Sequence, residues 1–106
     1  MKPSDKNFLK RAEKQIRSVV SGAEVILYGS RARGGAEPLS DWDLLILLGQ
    51  PLNQDQLSKL KNCLYDLELE TNTVLSSIVR TRAEWDSPRY AVLPFRQAIE
   101  REGVLL

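Results

Sequence analysis

Apolar positions along the chain fall into two rhythms. Between residues 4 and 21, Phe8, Ala12, Ile16, Val19 and Val20 recur every three or four positions among lysines and arginines. That spacing predicts an amphipathic helix capped by Ser4 and ended by Gly22. Glu24 to Tyr28 (EVILY) is short, apolar and bounded by Gly22 and Gly29, the pattern of a buried strand. Residues 29–41 (GSRARGGAEPLSD) hold three of the six glycines together with Pro38, and predict a loop with room for one helical turn after Gly29. Trp42 to Leu48 (WDLLILL) is a continuous apolar run, which predicts a strand buried on both faces.

The second half repeats the alternation. Asp55 to Glu70 carries Leu57, Leu60, Leu64 and Leu67 on one helical stripe, with Cys63 beside it as a small core residue. Thr73 to Thr81 is rich in β-branched residues and reads as a third strand. Thr81 or Ser87 can cap short turns around Trp85. Pro94 to Glu102 predicts a last helix closed by Gly103 in a Schellman ending. The order helix, strand, loop, strand, helix, strand, helix predicts an α/β (α+β) domain: a small sheet with helices packed on it. The strands flanking 29–41 are expected to pair.

Composition narrows the chemistry. The chain has 106 residues, expected to form one domain over 1–106, with one cysteine and no histidine. No Ser-His-Asp or Cys-His nucleophile and no His-ligated zinc can be built from it. One thiol makes no internal disulfide, which favours a reducing, cytoplasmic setting. Fifteen basic residues against fourteen acidic ones give a net charge of +1, too little for a protein that coats nucleic acid by bulk electrostatics. The six basic residues among the first twenty are most simply a solvated helix face. No apolar run reaches the length of a membrane span. Transfer or hydrolytic chemistry must rest on carboxylates, hydroxyls, Lys, Arg and bound metal.

Those groups concentrate in one segment. Asp41 and Asp43 are two apart, so in a strand they share a face while Trp42 points away. Like charges held that close repel unless a cation lies between them, and Mg²⁺ is commonly held by one or two carboxylates together with substrate phosphates. Upstream, the EVILY strand ends in Gly29-Ser30. Backbone N–H groups at a turn into a helix favour anions, glycine lets a phosphate approach the backbone, and Ser30 adds a hydroxyl. Arg31 and Arg33 can add charge-assisted contacts to phosphate oxygens. A phosphate cradle and a carboxylate pair on adjacent strands suit a nucleoside triphosphate and its metal.

Gly29-Ser30, ten residues, then Asp41-x-Asp43 resembles the signature of the DNA polymerase beta-like nucleotidyltransferases. The GSRARG, SDWDLLILL, IVRTRAEWDSP and PFRQAIEREG stretches extend the likeness over nearly the whole chain, to the minimal nucleotidyltransferase (MNT) domains of that superfamily. The resemblance implies a polymerase beta-like palm fold with a small mixed sheet. It assigns Gly29 and Ser30 to the triphosphate and Asp41 and Asp43 to Mg²⁺, with Mn²⁺ as a substitute. It implies transfer of a nucleoside monophosphate, AMP from ATP, to an acceptor hydroxyl or phosphate. Minimal nucleotidyltransferases are often paired with a helical HEPN-type protein in toxin–antitoxin systems, which implies a partner protein, or a second copy, as the source of the acceptor.

One expected part is missing. Active relatives carry a third carboxylate on the next strand, and here that strand has Ser76 and Ser77 at the expected position. Glu70 lies about 20 Å upstream along an extended chain, too far to be a direct ligand. Glu68 is farther, and Glu37 would have to reach in from the loop. Two function classes follow: a metal-dependent transferase, or a module that binds nucleotide or partner without turnover.

Overall fold

The computed structural model describes residues 2–34 and 40–106; Glu37 falls outside that range. Helix α1 (Pro3–Val19) starts one residue before the expected cap. Pro3 occupies its first turn, where a missing N–H costs nothing, and Lys2 precedes it in extended backbone, so Ser4 is helical rather than a cap. Strand β1 (Glu24–Tyr28) leads directly into α2 (Ser30–Arg33), the single turn for which the loop had room. Strand β2 (Trp42–Leu48) and helix α3 (Gln54–Thr71) follow. Asn53 caps α3 by accepting from the Gln56 N–H at 2.8 Å. Strand β3 covers Leu75–Thr81 and begins two residues later than expected, because Asn72 ends α3 in the left-handed conformation at φ 52°.

Thr81 caps the short α4 (Arg82–Trp85), accepting from the Glu84 N–H at 3.1 Å. Ser87 precedes α5 (Pro88–Ala91) without a side-chain bond to that helix. Helix α6 (Pro94–Glu102) matches the expected span, but its ending does not. Gly103 is extended, at φ −65° and ψ 146°, and feeds an unforeseen strand β4 (Val104–Leu105) rather than a Schellman turn. Glycine is needed there for closeness: an added Cβ would lie 2.6 Å from the Ile99 carbonyl and 2.8 Å from Ile26 Cγ2.

The four strands among the described residues form one mixed sheet in the order β3-β2-β1-β4. β1 is antiparallel to β2 and β4, while β2 and β3 run parallel. Both sheet faces are covered, as the WDLLILL run predicts. Trp42, Leu44, Ile46 and Leu48 pack with Val25 and Leu27 against α1 and α3. Leu45 and Leu47 point the other way, onto Trp85 of α4 and Ile99 of α6. Fully burying a leucine or isoleucine side chain stabilises by roughly 1.5–3 kcal/mol, and β2 supplies such residues to both cores. Cys63 is partly buried against the first core, as expected of a packing residue. No described helix is long and apolar enough to cross a membrane.

The outer edge of β3 is fringed by charge. The Val74 carbonyl faces β2 and accepts from the Trp42 N–H, so backbone groups of the alternate residues face outward. Four of those outward groups are taken. The Leu75 N–H donates to Glu68, and the Thr81 N–H donates to Glu84. The Ser77 carbonyl accepts from Lys61, and the Val79 carbonyl from Arg80. Burial, and then the neighbouring Arg80 charge, hold the Lys61 ammonium below its usual pKa.

Candidate functional site

The antiparallel pairing of β1 with β2 brings the end of one strand to the start of the other. Tyr28, the last residue of β1, lies directly opposite Asp43. The next residue, Gly29, turns the chain into α2 at φ 76° and ψ −161°, a region essentially closed to other residues. Asp43 presses on that turn: a Cβ added to Gly29 would lie 2.3 Å from the Asp43 Oδ2. The Gly29 carbonyl accepts from the N–H groups of Ala32 and Arg33 at 3.1 and 3.2 Å. Earlier N–H groups of such a turn have no intrahelical acceptor, which leaves them for an anion. Glycine therefore serves both the bend and the fit of the carboxylate.

Asp41 sits just before β2 rather than within it, exposed to solvent. Its charge still reaches Asp43. Partial burial first, and then repulsion from Asp41, push the Asp43 carboxyl above the usual aspartate range, against the opposing pull of Arg33. The strand parity works as the sequence implies: Trp42 is buried on the opposite face against Phe8, with ring centroids 5.3 Å apart. The two carboxylates are thus held near one another at an electrostatic cost, an arrangement that a divalent cation relieves.

That cost has a measurable sign. A carboxyl with a raised folded pKa favours the folded state below the unfolded value of 3.8, and progressively disfavours it as pH climbs through the folded value. Asp43→Asn should therefore raise the melting temperature at neutral pH by a few degrees without divalent cations, and the gain should vanish below pH 3.8. Thermal melts at the two pH values decide this; a variant equally or less stable at neutral pH contradicts the account.

The arginines are placed differently from each other. Arg31 donates to the Ser40 carbonyl through Nε at 3.2 Å and Nη2 at 3.0 Å, and lies 4.4 Å above the Trp42 ring. It ties α2 to the approach of Asp41. Arg33 acts on Asp43 electrostatically and pairs with Glu102 of α6 at 3.0 Å. Ser30 begins α2 and is partly exposed.

The parallel β2–β3 register sets Ser76 beside Asp43, and Ser77 beside Leu44. Neighbours in register share a face, so Ser76 occupies the place beside the aspartates, while the Ser77 hydroxyl accepts from Lys61 at 2.9 Å. The nearby acids are committed elsewhere: Glu68 to the Leu75 N–H, and Glu70 to Arg11. Among the described residues, no three Asp, Glu, Cys or His side chains gather as a metal site. Two residues close to the site carry no motif. Tyr28 borders Asp43, and burial together with the Asp43 charge holds its hydroxyl above the usual pKa. Its position follows once β1 and β2 are paired antiparallel. Glu102 lies 69 residues from Arg33, a contact no local pattern announces.

A mixed sheet under flanking helices, with a glycine-serine turn against paired aspartates at adjoining strand ends, is a nucleotidyltransferase fold. A solved structure described as "Structure of putative minimal nucleotidyltransferase" matches with a TM-score of 0.60 over 95% of this chain and 94% of that chain, at 23% identity. No curated protein sequence matches the chain. Residues 9–102 match the nucleotidyltransferase domain family, and the chain belongs to that family.

Proposed function

We propose that the chain transfers a nucleoside monophosphate, AMP from ATP, to an acceptor on another protein. The observation carrying this reading is the Gly29–Asp43 contact with Asp41 alongside: a phosphate-accessible turn abuts a repelling carboxylate pair. Asp41 and Asp43 would hold Mg²⁺ or Mn²⁺, and their donor set, all carboxylate oxygen, fits a hard cation. When bound, the ion stabilises the charge on the departing pyrophosphate and activates the attacking oxygen.

The chain's own residues do the rest. The turn at Gly29 admits phosphate oxygens to the backbone, and the Ser30 hydroxyl donates to them. Arg33 exchanges Glu102 for a phosphate oxygen, and Arg31 contributes by fixing Ser40 and hence Asp41. The acceptor hydroxyl oxygen attacks the α-phosphorus and gives up its proton to solvent water, the bond from that phosphorus to the bridging oxygen breaks, and pyrophosphate leaves. A helical HEPN-type partner, as in a toxin–antitoxin pair, is the acceptor that the family resemblance supplies.

A second reading is favoured by one observation: Ser76, not an acid, stands beside Asp43. On that reading the chain binds nucleotide or partner without turning it over. Incubation with labelled ATP, Mg²⁺ or Mn²⁺ and a candidate partner separates the two, with Asp41→Asn/Asp43→Asn as the control. Label on the partner that disappears in the control supports transfer. Metal-dependent ATP binding without label supports the binding module. Label that persists in the double variant removes the proposed site.

A further inference from the structure

We propose that Phe95 is the platform on which the base of the bound nucleotide stacks, with Tyr28 spacing it from the carboxylates. This rests on the nucleotide-site reading above and concerns where the remainder of the nucleotide lies. Asp43 and Tyr28 are direct cross-strand partners, so their side chains leave the same face of the sheet. The Phe95 ring meets Tyr28 edge-on, with centroids 6.0 Å apart and planes at 86°. Tyr28 thus touches Phe95 on one side and neighbours Asp43 on the other, so one aromatic side chain links the carboxylate end of the sheet to Phe95.

An exposed phenylalanine alone would signify little. Phe95 is 38% exposed, yet it is held from below. Trp85, fully buried, meets it edge-on at 6.0 Å. The Trp85 Nε1–H donates to Glu100 at 3.1 Å, and Arg96 Nε donates to the Trp85 carbonyl at 2.8 Å. These contacts tie α4 to α6, and Pro94 fixes the backbone just before the ring. A partly exposed aromatic ring on the carboxylate face of the sheet is therefore held in place, which spares the ordering cost of binding. Stacking on such a surface is tolerant of base identity and grows with ring area, so purines should bind better than pyrimidines.

The test measures Mg²⁺-dependent binding of ATP and of tripolyphosphate, which lacks the base, to the wild type, Phe95→Leu and Phe95→Trp. Phe95→Leu should weaken ATP binding about 10-fold and leave tripolyphosphate unchanged, while Phe95→Trp should retain ATP. Unchanged ATP affinity in Phe95→Leu overturns the platform, as does equal weakening of both ligands in a folded variant. If Phe95→Leu does not fold, the wild type still decides: ATP and GTP binding no tighter than CTP and UTP overturns the proposal. A wild type that binds neither ATP nor tripolyphosphate overturns the nucleotide site itself, a result distinct from all of these.

Discussion

Gly29→Ala should lower the melting temperature by about 10 °C and abolish metal-dependent nucleotide binding. Two independent costs meet at this position. The backbone conformation, φ 76° and ψ −161°, is open essentially to glycine alone and costs other residues about 1–3 kcal/mol. The new methyl would also lie 2.3 Å from the Asp43 carboxylate, which must swing away. About 2 kcal/mol in a domain of this size corresponds to roughly 10 °C. The steric part is separable by a double-mutant cycle. In an Asp43→Ala background the clash is gone, so Gly29→Ala should cost less there than in the wild type. Calorimetry on the four proteins gives the coupling; strict additivity would mean that the contact is not felt. ATP titration of Gly29→Ala checks the functional half, and undiminished binding would exclude the turn as a phosphate site.

The second large effect runs in the opposite direction. Ser76→Asp should raise nucleotidyl transfer by about 100-fold, the lower range for a well-placed general base. Ser76 stands in register with Asp43 on an exposed position of β3, so the new carboxylate joins the existing pair without disturbing the core. Three like charges should destabilise the metal-free protein, and Mg²⁺ should restore the loss. Ser77→Asp is the internal control. One residue along the strand reverses the face, and Ser77 lies beside Leu44 and bonds Lys61. A gain from both substitutions, or from neither, contradicts the geometry; a gain from Ser76→Asp alone supports it. Should the wild type bind without turnover, the same substitution tests whether one side chain separates the two behaviours.

The legible parts of this molecule are those with local causes. Glu24–Tyr28, Trp42–Leu48 and Pro94–Glu102 agree residue for residue with their expected spans, because glycine, proline or a polar step bounds each apolar run. The flanking of residues 29–41 by paired strands was readable for the same reason, and it is that pairing which puts Gly29 on Asp43. Long-range causes were not readable. Val104–Leu105 becomes a strand only because β1 offers an edge to it, and no two-residue pattern encodes that. Gly103 looked like a helix terminator, yet its lack of a side chain answers a crowded approach to Ile26 and Ile99. Within the candidate site, the motif residues were visible from spacing. Tyr28 and Glu102 were not, since their closeness to Asp43 and Arg33 arises from strand register and helix docking across much of the chain.

The charged fringe along β3 bears on how the domain behaves in a crowd. An open strand edge is a template on which a neighbouring chain can lay its own backbone, the first step toward fibrils and exchanged strands. On β3 that template is already occupied by Glu68, Lys61, Arg80 and Glu84, and an incoming strand would have to strip four charged side chains from their partners. The opposite end of the sheet is β4, only two residues long. Neither end is a good seed, so a sheet whose central strand is almost wholly apolar can remain dispersed at high concentration.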